Sequence, residues 1–251
     1  LKSEVNKKGK FRPLVAGISI GNIAITAGTL GWFFEDVKGD VYLGSNAHVF
    51  VPDPSTPPKN VLVKTIIQPG RYDGGTIRDK VGEYHWHQQI YPENGDSTCP
   101  VARFWAGIYN FLAQLCESKT RLKPVVEAEN HIDFAVAKPT VALETRIVDT
   151  DEEGDLVGLL FAGSDAVTVV CKIGYIVDLG FKPMDRKYVT AVNVGDEVWK
   201  SGRTTCTTKG KVIDESAVVR VNYGNFTARF TDVILTTHMS EPGDSGSAVW
   251  M

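Results

Sequence analysis

The sequence predicts an all-β protein made of barrels or sandwiches. Apolar and polar residues alternate in "TAGTLGWFFED" and "GDVYLGSNAHV", which flank a turn and predict a hairpin. The same alternation returns in "SAVVRVNYG" and "NFTARFTDVILTTHM" around a Gly-Asn turn, and "NHIDFAVAKP" and "VGDEVWKSG" predict further short strands. Many short strands joined by glycine-rich turns are typical of barrels and sandwiches.

A single segment departs from this pattern and predicts a helix at about 100–116. Its apolar residues recur at helical spacing, at Phe104, Ile108, Phe111, Leu112 and Leu115. Ser97 or Thr98 can cap its start, and Pro100 falls in the first turn. We expect a helix inserted into a β protein, with its apolar face packed on a barrel; a partner-binding helix is the alternative.

Bulk composition favours an ordinary globular protein. The 251 residues are 43% hydrophobic and 23% charged, which suits one large domain or two ordinary ones. The net charge is −3 and no Lys/Arg run exceeds Lys7-Lys8, so no nucleic-acid partner is expected. The longest apolar stretch, "VAGISIGNIAITAGTLGWFF", is broken by polar residues and glycines and predicts strands, not a membrane span. The sequence assigns neither a compartment nor an oligomeric state.

The four cysteines leave the redox state open. Cys99 and Cys116 flank the predicted helix and would lie roughly 25 Å apart along it. That separation is too large for a disulfide. Cys171 and Cys206 could pair, or both could be buried thiols.

The turn "PGDSGS" around Ser245 is typical of a nucleophilic serine. Flanking glycines allow a tight turn and leave room for a substrate carbonyl. The backbone N–H groups of Gly243 and Ser245 can then converge on the oxyanion formed during acyl transfer. The alternative is an ordinary Gly-Ser turn.

A serine needs a base, and the chain has five histidines. His85 and His87 in "EYHWHQQ" could share a face and bind metal, but no third ligand is evident, so exposed side chains are expected. His131 is expected at a strand edge, and His238 either in a substrate pocket or in the core. His48 follows a predicted strand in "LGSNAHVF", at a small-residue turn from which it can project into a cleft.

Asp133 lies within the apolar strand "HIDFAVAKP", where a carboxylate is costly unless it is hydrogen-bonded. An aspartate that holds the tautomer of an imidazole fits that position, and a structural cap is the alternative. The order His48, Asp133, Ser245 with these contexts resembles the chymotrypsin-like (trypsin-like) serine peptidases. "NAHV", "IDFAVAK" and "PGDSGS" are similar to the family's three catalytic motifs, and "KSGRTTCTTKGKV" resembles its bacterial branch, with Cys206 in place of a glycine.

The resemblance implies two six-stranded Greek-key β-barrels, at 1–140 with His48 and Asp133 and at 141–251 with Ser245. "GISIGN", "TAGTLG", "QPGRYDGG" and "FTDVILTTHMSEPGDSGS" are closer still to a bacterial and plant group typified by the rice narrow-leaf protein. In the bacterial branch the aspartate before the serine pairs with an internal arginine. Carried over, this implies an ion pair between Arg203 and Asp244.

The order of the segments implies a circular permutation. In that group, a strand similar to "VGLLFAGS" and an apolar segment follow the serine motif, whereas here "DLVGLLFAGSDAVTVVCKIGYIVDLGF" at 155–181 precedes it. We therefore expect the second barrel to begin with 155–181 and the strand at 156–163 to lie beside the serine strand. The alternative is a chance likeness, with the true C-terminal strands missing.

The resemblance also implies a substrate pocket. Phe161, Ala162 and Gly163 would form one wall and pair with an extended substrate. Met239 would occupy the floor, where trypsin-like enzymes carry an acid, so a medium apolar substrate side chain is expected in place of Arg or Lys. His238 would leave an acidic preference open.

These features predict a serine endopeptidase with His48, Asp133 and Ser245 as its triad, acting on a peptide or protein substrate without metal or organic cofactor, and without nucleic-acid or membrane partners. Two alternatives stay open. One is a binding or scaffold protein of the same fold whose site is occluded by the long insertion between His48 and Asp133. The other is a self-processing protease that cuts its own chain.

Overall fold

The computed structural model describes residues 5–93, 95–97, 99–126, 129–151, 154–164 and 166–251, with the side chains of Asp96 and Val126 left out. The strands are β1 Leu14–Ala16, β2 Ser19–Asn22, β3 Gly28–Thr29, β4 Trp32–Glu35, β5 Val41–Ser45, β6 Thr65–Ile67, β7 Lys80–His87, β8 Gly95–Asp96, β9 Val125–Val126, β10 Ala135–Pro139, β11 Leu143–Ile147, β12 Leu156–Gly163, β13 Val167–Lys172, β14 Lys182–Pro183, β15 Glu197–Gly202, β16 Cys206–Asn222, β17 Thr227–Thr237 and β18 Ala248–Trp250. The helices are α1 Ala47–Phe50, α2 Pro100–Leu115 and α3 Ile173–Asp178, with short 3-10 turns at Pro58–Asn60, Arg71–Asp73 and Ile77–Asp79.

The first barrel is a curled sheet in the order β4-β5-β10-β7-β6-β2-β3. Its two ends meet, because β3 ends at Thr29 and β4 begins at Trp32. The predicted hairpin forms as β4 and β5, but its side chains do not alternate between buried and exposed, because three consecutive residues of β4 and four of β5 are all buried. This barrel carries the strands that precede His48 and follow Asp133.

The second barrel closes completely in the order β12-β13-β17-β16-β15-β18. Strand β12 pairs antiparallel with both β13 and β18, and β18 pairs on its other side with β15. The segment predicted to lie beside the serine strand therefore does so, with Leu159 opposite Ala248. The closed ladder leaves no unpaired edge in this barrel.

The all-β fold with two barrels and an inserted helix is confirmed. The predicted division at residue 140 stays a prediction, since segments beyond it also pair with first-barrel strands. Strand β11 runs parallel to β1, and β14 extends the first sheet at β4. The buried Lys7 also crosses to the later chain, with its Nζ 2.8 Å from Asp149 Oδ2.

Helix α2 has the predicted bounds but not the predicted packing. Its large apolar side chains point to solvent, so the expectation that they pack on a barrel is wrong; among its residues only Ala106 and Ala113 are buried. Cys99 is the N-cap residue, with Ser97 Oγ accepting from its N–H, and Thr98 lies outside the described residues. In the part of the chain that the structure describes, no helix is long and apolar enough to span a membrane.

All four cysteines are described, and none forms a disulfide. Cys99 and Cys116 are exposed at the two ends of α2, and Cys171 is fully buried. Burial raises the pKa of the Cys171 thiol well above its ordinary value. Cys171 and Cys206 do not pair in this structure, and the alternative of buried thiols holds for Cys171 only, because Cys206 is partly exposed.

Candidate active site

Asp133 and His48 are brought together at the start of α1, which follows directly on β5. The Asp133 carboxylate is fully buried, and its Oδ1 accepts the N–H of Ala47 at 2.6 Å and that of His48 at 3.4 Å. His48 Nδ1 donates to Asp133 Oδ2 at 2.5 Å. The Asn46 side chain donates to the Asp133 carbonyl at 2.7 Å, so hydrogen bonds that involve the backbone hold both Asp133 and His48 in place. Because Nδ1 of the imidazole contacts Asp133, the other ring nitrogen, Nε2, lies on the side away from Asp133.

Tyr223 adds a further contact to this pair. It lies on the β16–β17 hairpin, and its hydroxyl donates to Asp133 Oδ2, the oxygen that binds His48, at 2.9 Å. Its ring meets the imidazole edge-on, with centroids 5.9 Å apart. Burial and the neighbouring carboxylate raise the pKa of Tyr223 well above its ordinary value, so the phenol stays protonated and acts as a donor.

The loop that joins β17 to β18, residues 238–247, contains Ser245 and is called the serine loop here; it lies between the two barrels. The Ser245 carbonyl accepts the Thr29 N–H at 2.8 Å, and the Gly246 N–H donates to Leu160 of β12 at 2.7 Å. Gly246 has φ +93°, and a Cβ there would lie 2.1 Å from Ser45 Oγ, so only glycine fits this close approach. Among the described residues, no group accepts the N–H of Gly243 or Ser245. Both amides are therefore available to a ligand.

Asp244 is fully buried within the serine loop, and its partner is Lys200, whose Nζ lies 3.0 Å from Oδ2. The Thr205 hydroxyl donates to the same oxygen at 2.6 Å, and the Thr204 N–H donates to Oδ1 at 2.8 Å. Burial alone would raise the pKa of Asp244, but the Lys200 charge and these hydrogen bonds outweigh it and lower that pKa. Burial lowers the pKa of Lys200, and the Asp244 charge opposes this.

The predicted ion pair between Arg203 and Asp244 is therefore wrong. Arg203 Nη1 instead contacts both carboxylate oxygens of Asp73 at 3.0 Å, across the barrel interface. The physical reason is the direction of the two side chains. The Lys200 side chain lies inside the barrel next to Asp244, while the Arg203 guanidinium extends outward past Gly243 toward the first barrel. The arginine connects the barrels, and the lysine neutralises the aspartate.

A cleft of about 900 Å³ runs between the barrels and is lined by both His48 and Ser245. The predicted wall residues Phe161, Ala162 and Gly163 also line it, as does His238. His238 Nδ1 donates to the Ser164 carbonyl at 2.7 Å, and this hydrogen bond connects the start of the serine loop to the end of β12.

Met239 does not form the floor of this cleft. Its side chain is only 4% exposed and belongs to the apolar cluster of the second barrel with Val198 and Val249. The neighbouring Ser240 lines the cleft, and its hydroxyl lies 2.9 Å from that of Thr168. Met239 and Ser240 both follow the end of β17 at Thr237, so the path of the loop decides which of them faces the cleft.

His87 also differs from its prediction as an exposed side chain, since it is fully buried. Its Nε2 donates to the Pro54 carbonyl at 3.2 Å, and the Tyr84 hydroxyl lies 2.7 Å from its Nδ1. Burial lowers the pKa of His87. Over the described ranges, no group of three or more His, Cys, Asp or Glu residues could hold a metal ion.

Comparisons with known proteins give likeness to solved structures only. No protein-family profile matches the chain, and no curated protein matches it. A Nocardiopsis protease is 13% identical over 94% of this chain and 77% of its own, with a TM-score of 0.43. A glutamic-acid-specific serine protease is 15% identical over 95% and 92%, with a TM-score of 0.46. Thermobifida fusca protease A is 14% identical over 95% and 77%, with a TM-score of 0.42.

The sequence analysis missed two residues of the site, Tyr223 and Lys200. Tyr223 precedes a hairpin turn that is 90 residues from Asp133 in the chain, so only the closed second barrel brings the two together. Lys200 did carry a weak signal, because it interrupts the apolar strand "VWKSG" much as Asp133 interrupts its own. A lysine within a buried strand requires a buried partner.

Proposed function

We propose that this protein is a serine endopeptidase that hydrolyses peptide bonds through an acyl-enzyme intermediate. The observation that carries the proposal is the buried Asp133 carboxylate 2.5 Å from His48 Nδ1, in a cleft that also contains Ser245. An aspartate so placed orients the imidazole and stabilises its cation, which is what a general base beside a serine requires.

In the proposed mechanism, Ser245 Oγ attacks the scissile carbonyl and His48 Nε2 accepts its proton. The imidazolium then protonates the leaving amine, and a water molecule activated by the same imidazole releases the acyl group. The amides of Gly243 and Ser245 bind the oxyanion, an assignment supported by their lack of acceptors among the described residues. These steps involve proton transfers and acyl transfer alone.

Tyr223 also lines the cleft, but its hydroxyl donates to Asp133, so it acts in this proposal as a positioning residue. We expect Tyr223→Phe to lower kcat/KM by roughly 10-fold, the value of about one charge-assisted hydrogen bond. The loss should fall on kcat with KM nearly unchanged, because the lost hydrogen bond orients the catalytic pair. The measurement is kcat and KM for the wild-type and variant enzymes.

Tyr175→Phe is the matched control for this variant. Its hydroxyl donates to the Asp232 carboxylate at 2.7 Å, in the same barrel but away from the cleft. It should leave kcat and KM unchanged. An unchanged kcat in Tyr223→Phe, or an equal loss of kcat in both variants, would contradict the positioning role.

Substrate selection is proposed to favour a small side chain on the acyl side of the cleaved bond. The two walls approach closely, since a Cβ on Gly163 would lie 2.5 Å from Ser240 Oγ. We expect cleavage after alanine or serine to exceed cleavage after arginine, lysine or phenylalanine. Digestion of a mixed peptide library followed by mass spectrometry checks this, and dominant cleavage after a large residue would show that the walls separate on binding.

The proposal includes a circular permutation of the second barrel relative to the bacterial-type, narrow-leaf-like group. It is supported by the antiparallel pairing of β18 with β12 and by the two hydrogen bonds between Asp155 and Met251, each 3.1 Å. A tight hairpin would join these residues in the conventional order. The location of α3 directly after β13 suits the apolar segment that ends that order.

The test of the proposed function is reaction with a fluorophosphonate, with the adduct mapped by mass spectrometry. The reagent requires a serine activated by a base. Labelling confined to Ser245, and lost in both Ser245→Ala and His48→Ala, is the expected result. A folded chain that takes up no label would overturn the proposal and favour a scaffold with an occluded site.

A further inference from the structure

Helix α2 has two unlike faces, and the apolar one is uncovered. The side of Ala106 and Ala113 faces its own following segment, where Asn110 exchanges two hydrogen bonds with Leu122, at 2.9 and 2.7 Å. The opposite side presents large apolar residues that are 36–66% exposed: Val101, Phe104, Trp105, Ile108, Tyr109, Phe111, Leu112 and Leu115. The face is contiguous, because these positions repeat at helical spacing.

The spacing on this face fits a partner helix. Val101, Phe104, Ile108, Phe111 and Leu115 follow one another at intervals of three, four, three and four residues. This is the a/d repeat of a coiled-coil seam, in which each side chain enters a hole formed by the facing helix. A seam of this kind indicates a second helix as the occupant.

The charges do not favour a lipid surface. Helices that lie in a membrane interface carry lysines and arginines along the polar face. The described α2 has one charged residue, Arg103, and it faces the same side as Asn110, toward the chain's own segment. The next arginine, Arg121, donates to the carbonyls of Ser118 and Thr120. A second copy of α2 would bring no like charges into the seam.

The available area matches a stable dimer. With fractional exposures of 36–66% and full areas of about 150–250 Å² for the aromatic members, the face amounts to roughly 800 Å². A standard protein interface buries about 800 Å² on each partner. The large apolar face of one helix is therefore enough for a specific contact without any other surface.

We propose that α2 forms a homodimer with a second copy of itself, antiparallel and two-fold symmetric about Ile108. Antiparallel pairing sets the positive end of each helix dipole beside the negative end of the other. The seam is self-complementary, because Ile108 lies at its centre with Phe104 and Phe111 on either side. This inference is independent of the proposed catalytic activity.

The insertion that carries α2 is attached to the second barrel at both of its ends. Arg220 donates to Glu93 at 2.9 Å before the helix, and the Asn130 amide donates to the Arg229 carbonyl at 3.0 Å after it. Both barrel residues belong to the β16–β17 hairpin.

Cross-linking of the two exposed cysteines at the ends of α2, Cys99 and Cys116, can distinguish an antiparallel from a parallel dimer. In the antiparallel dimer, Cys99 of one copy lies opposite Cys116 of the other, whereas a parallel pair would bring like residues together. Within one chain, the two are separated by the length of the helix, roughly 25 Å. A short bis-maleimide should therefore join Cys99 to Cys116 between chains.

The experiment measures the mass of the full chain by sedimentation equilibrium over a dilution series. The expected species has twice the 27.5 kDa mass of one copy. Phe104→Glu with Phe111→Glu should weaken the dimer by at least about 100-fold, because two buried aromatic contacts are lost. Ile77→Glu, at a position 61% exposed like Phe111 but far from α2 in the chain, should leave it intact.

Peptide mapping of the cross-linked dimer and a flotation assay with anionic phospholipid vesicles complete the test. A wild-type chain that stays monomeric overturns the proposal, whether or not it floats with vesicles. A dimer that the double variant does not weaken overturns it as well. Cross-links between two copies of Cys99 would refute the antiparallel arrangement.

Discussion

Ser245→Ala is expected to lower kcat/KM for a peptide substrate by roughly 10⁴- to 10⁶-fold while the midpoint of thermal unfolding stays unchanged. The reason is that the oxyanion amides and the cleft remain, but the nucleophile is lost. The Ser245 hydroxyl is not required for the loop contacts, which use the Ser245 carbonyl and the Gly246 amide. Steady-state hydrolysis and thermal scans of the purified variant measure both quantities.

Adding His48→Ala to Ser245→Ala should cost little more, because base and nucleophile act as one unit. Ser118→Ala, in the insertion and away from the cleft, is the control and should retain full activity. If the Ser245→Ala protein hydrolyses peptides at a rate near that of the wild type, another residue performs the chemistry and the triad assignment fails.

Lys200→Met is expected to reduce the free energy of unfolding by about 3–5 kcal/mol, the cost of leaving a buried charge without its partner. Both side chains of this pair are completely buried, and the Asp244 carboxylate would lose the charge that holds its pKa down. Urea titration followed by fluorescence measures the loss. The combined Lys200→Met and Asp244→Asn variant should lose less than the sum of the single variants, because no unpaired charge remains.

Lys209→Met is the matched control for this prediction. Its ammonium pairs with Glu197 at 2.8 Å in the same barrel, but both side chains are more than 40% exposed. Exposed pairs contribute about 0–1 kcal/mol. Equal losses for Lys200→Met and Lys209→Met would show that the buried pair does not stabilise the serine loop.

The sequence specified the strands and the helix well, since both depend on local periodicity. The limits of α2 were predicted to within a residue, but periodicity identifies an apolar face and not what covers it. The expectation that Phe104 and Leu115 pack on a barrel failed for this reason. Burial against another element depends on where the insertion leaves the barrel, which no repeat within 100–116 encodes.

Short motifs indicated the candidate site residues, whereas contacts between residues far apart in the chain were missed. Asp133 was recognisable because an unpaired carboxylate in an apolar strand is costly. The partner of Asp244 was not, because Lys200 and Arg203 lie close together in the chain and only the barrel decides which one reaches it. The choice between Met239 and Ser240 as cleft lining likewise depends on the path of the chain after β17 ends at Thr237.

The order of strands in the second barrel has a consequence for synthesis. Strand β18, which follows Ser245, is the last of the six in the chain, yet it holds β12 and β15 together. A growing chain emerging from the ribosome therefore exposes the cleft wall of β12 and the whole β16–β17 hairpin before the ring can close. Ser245 lies between β17 and β18, so each nascent molecule carries the wall of the cleft before Ser245 has been added to the chain.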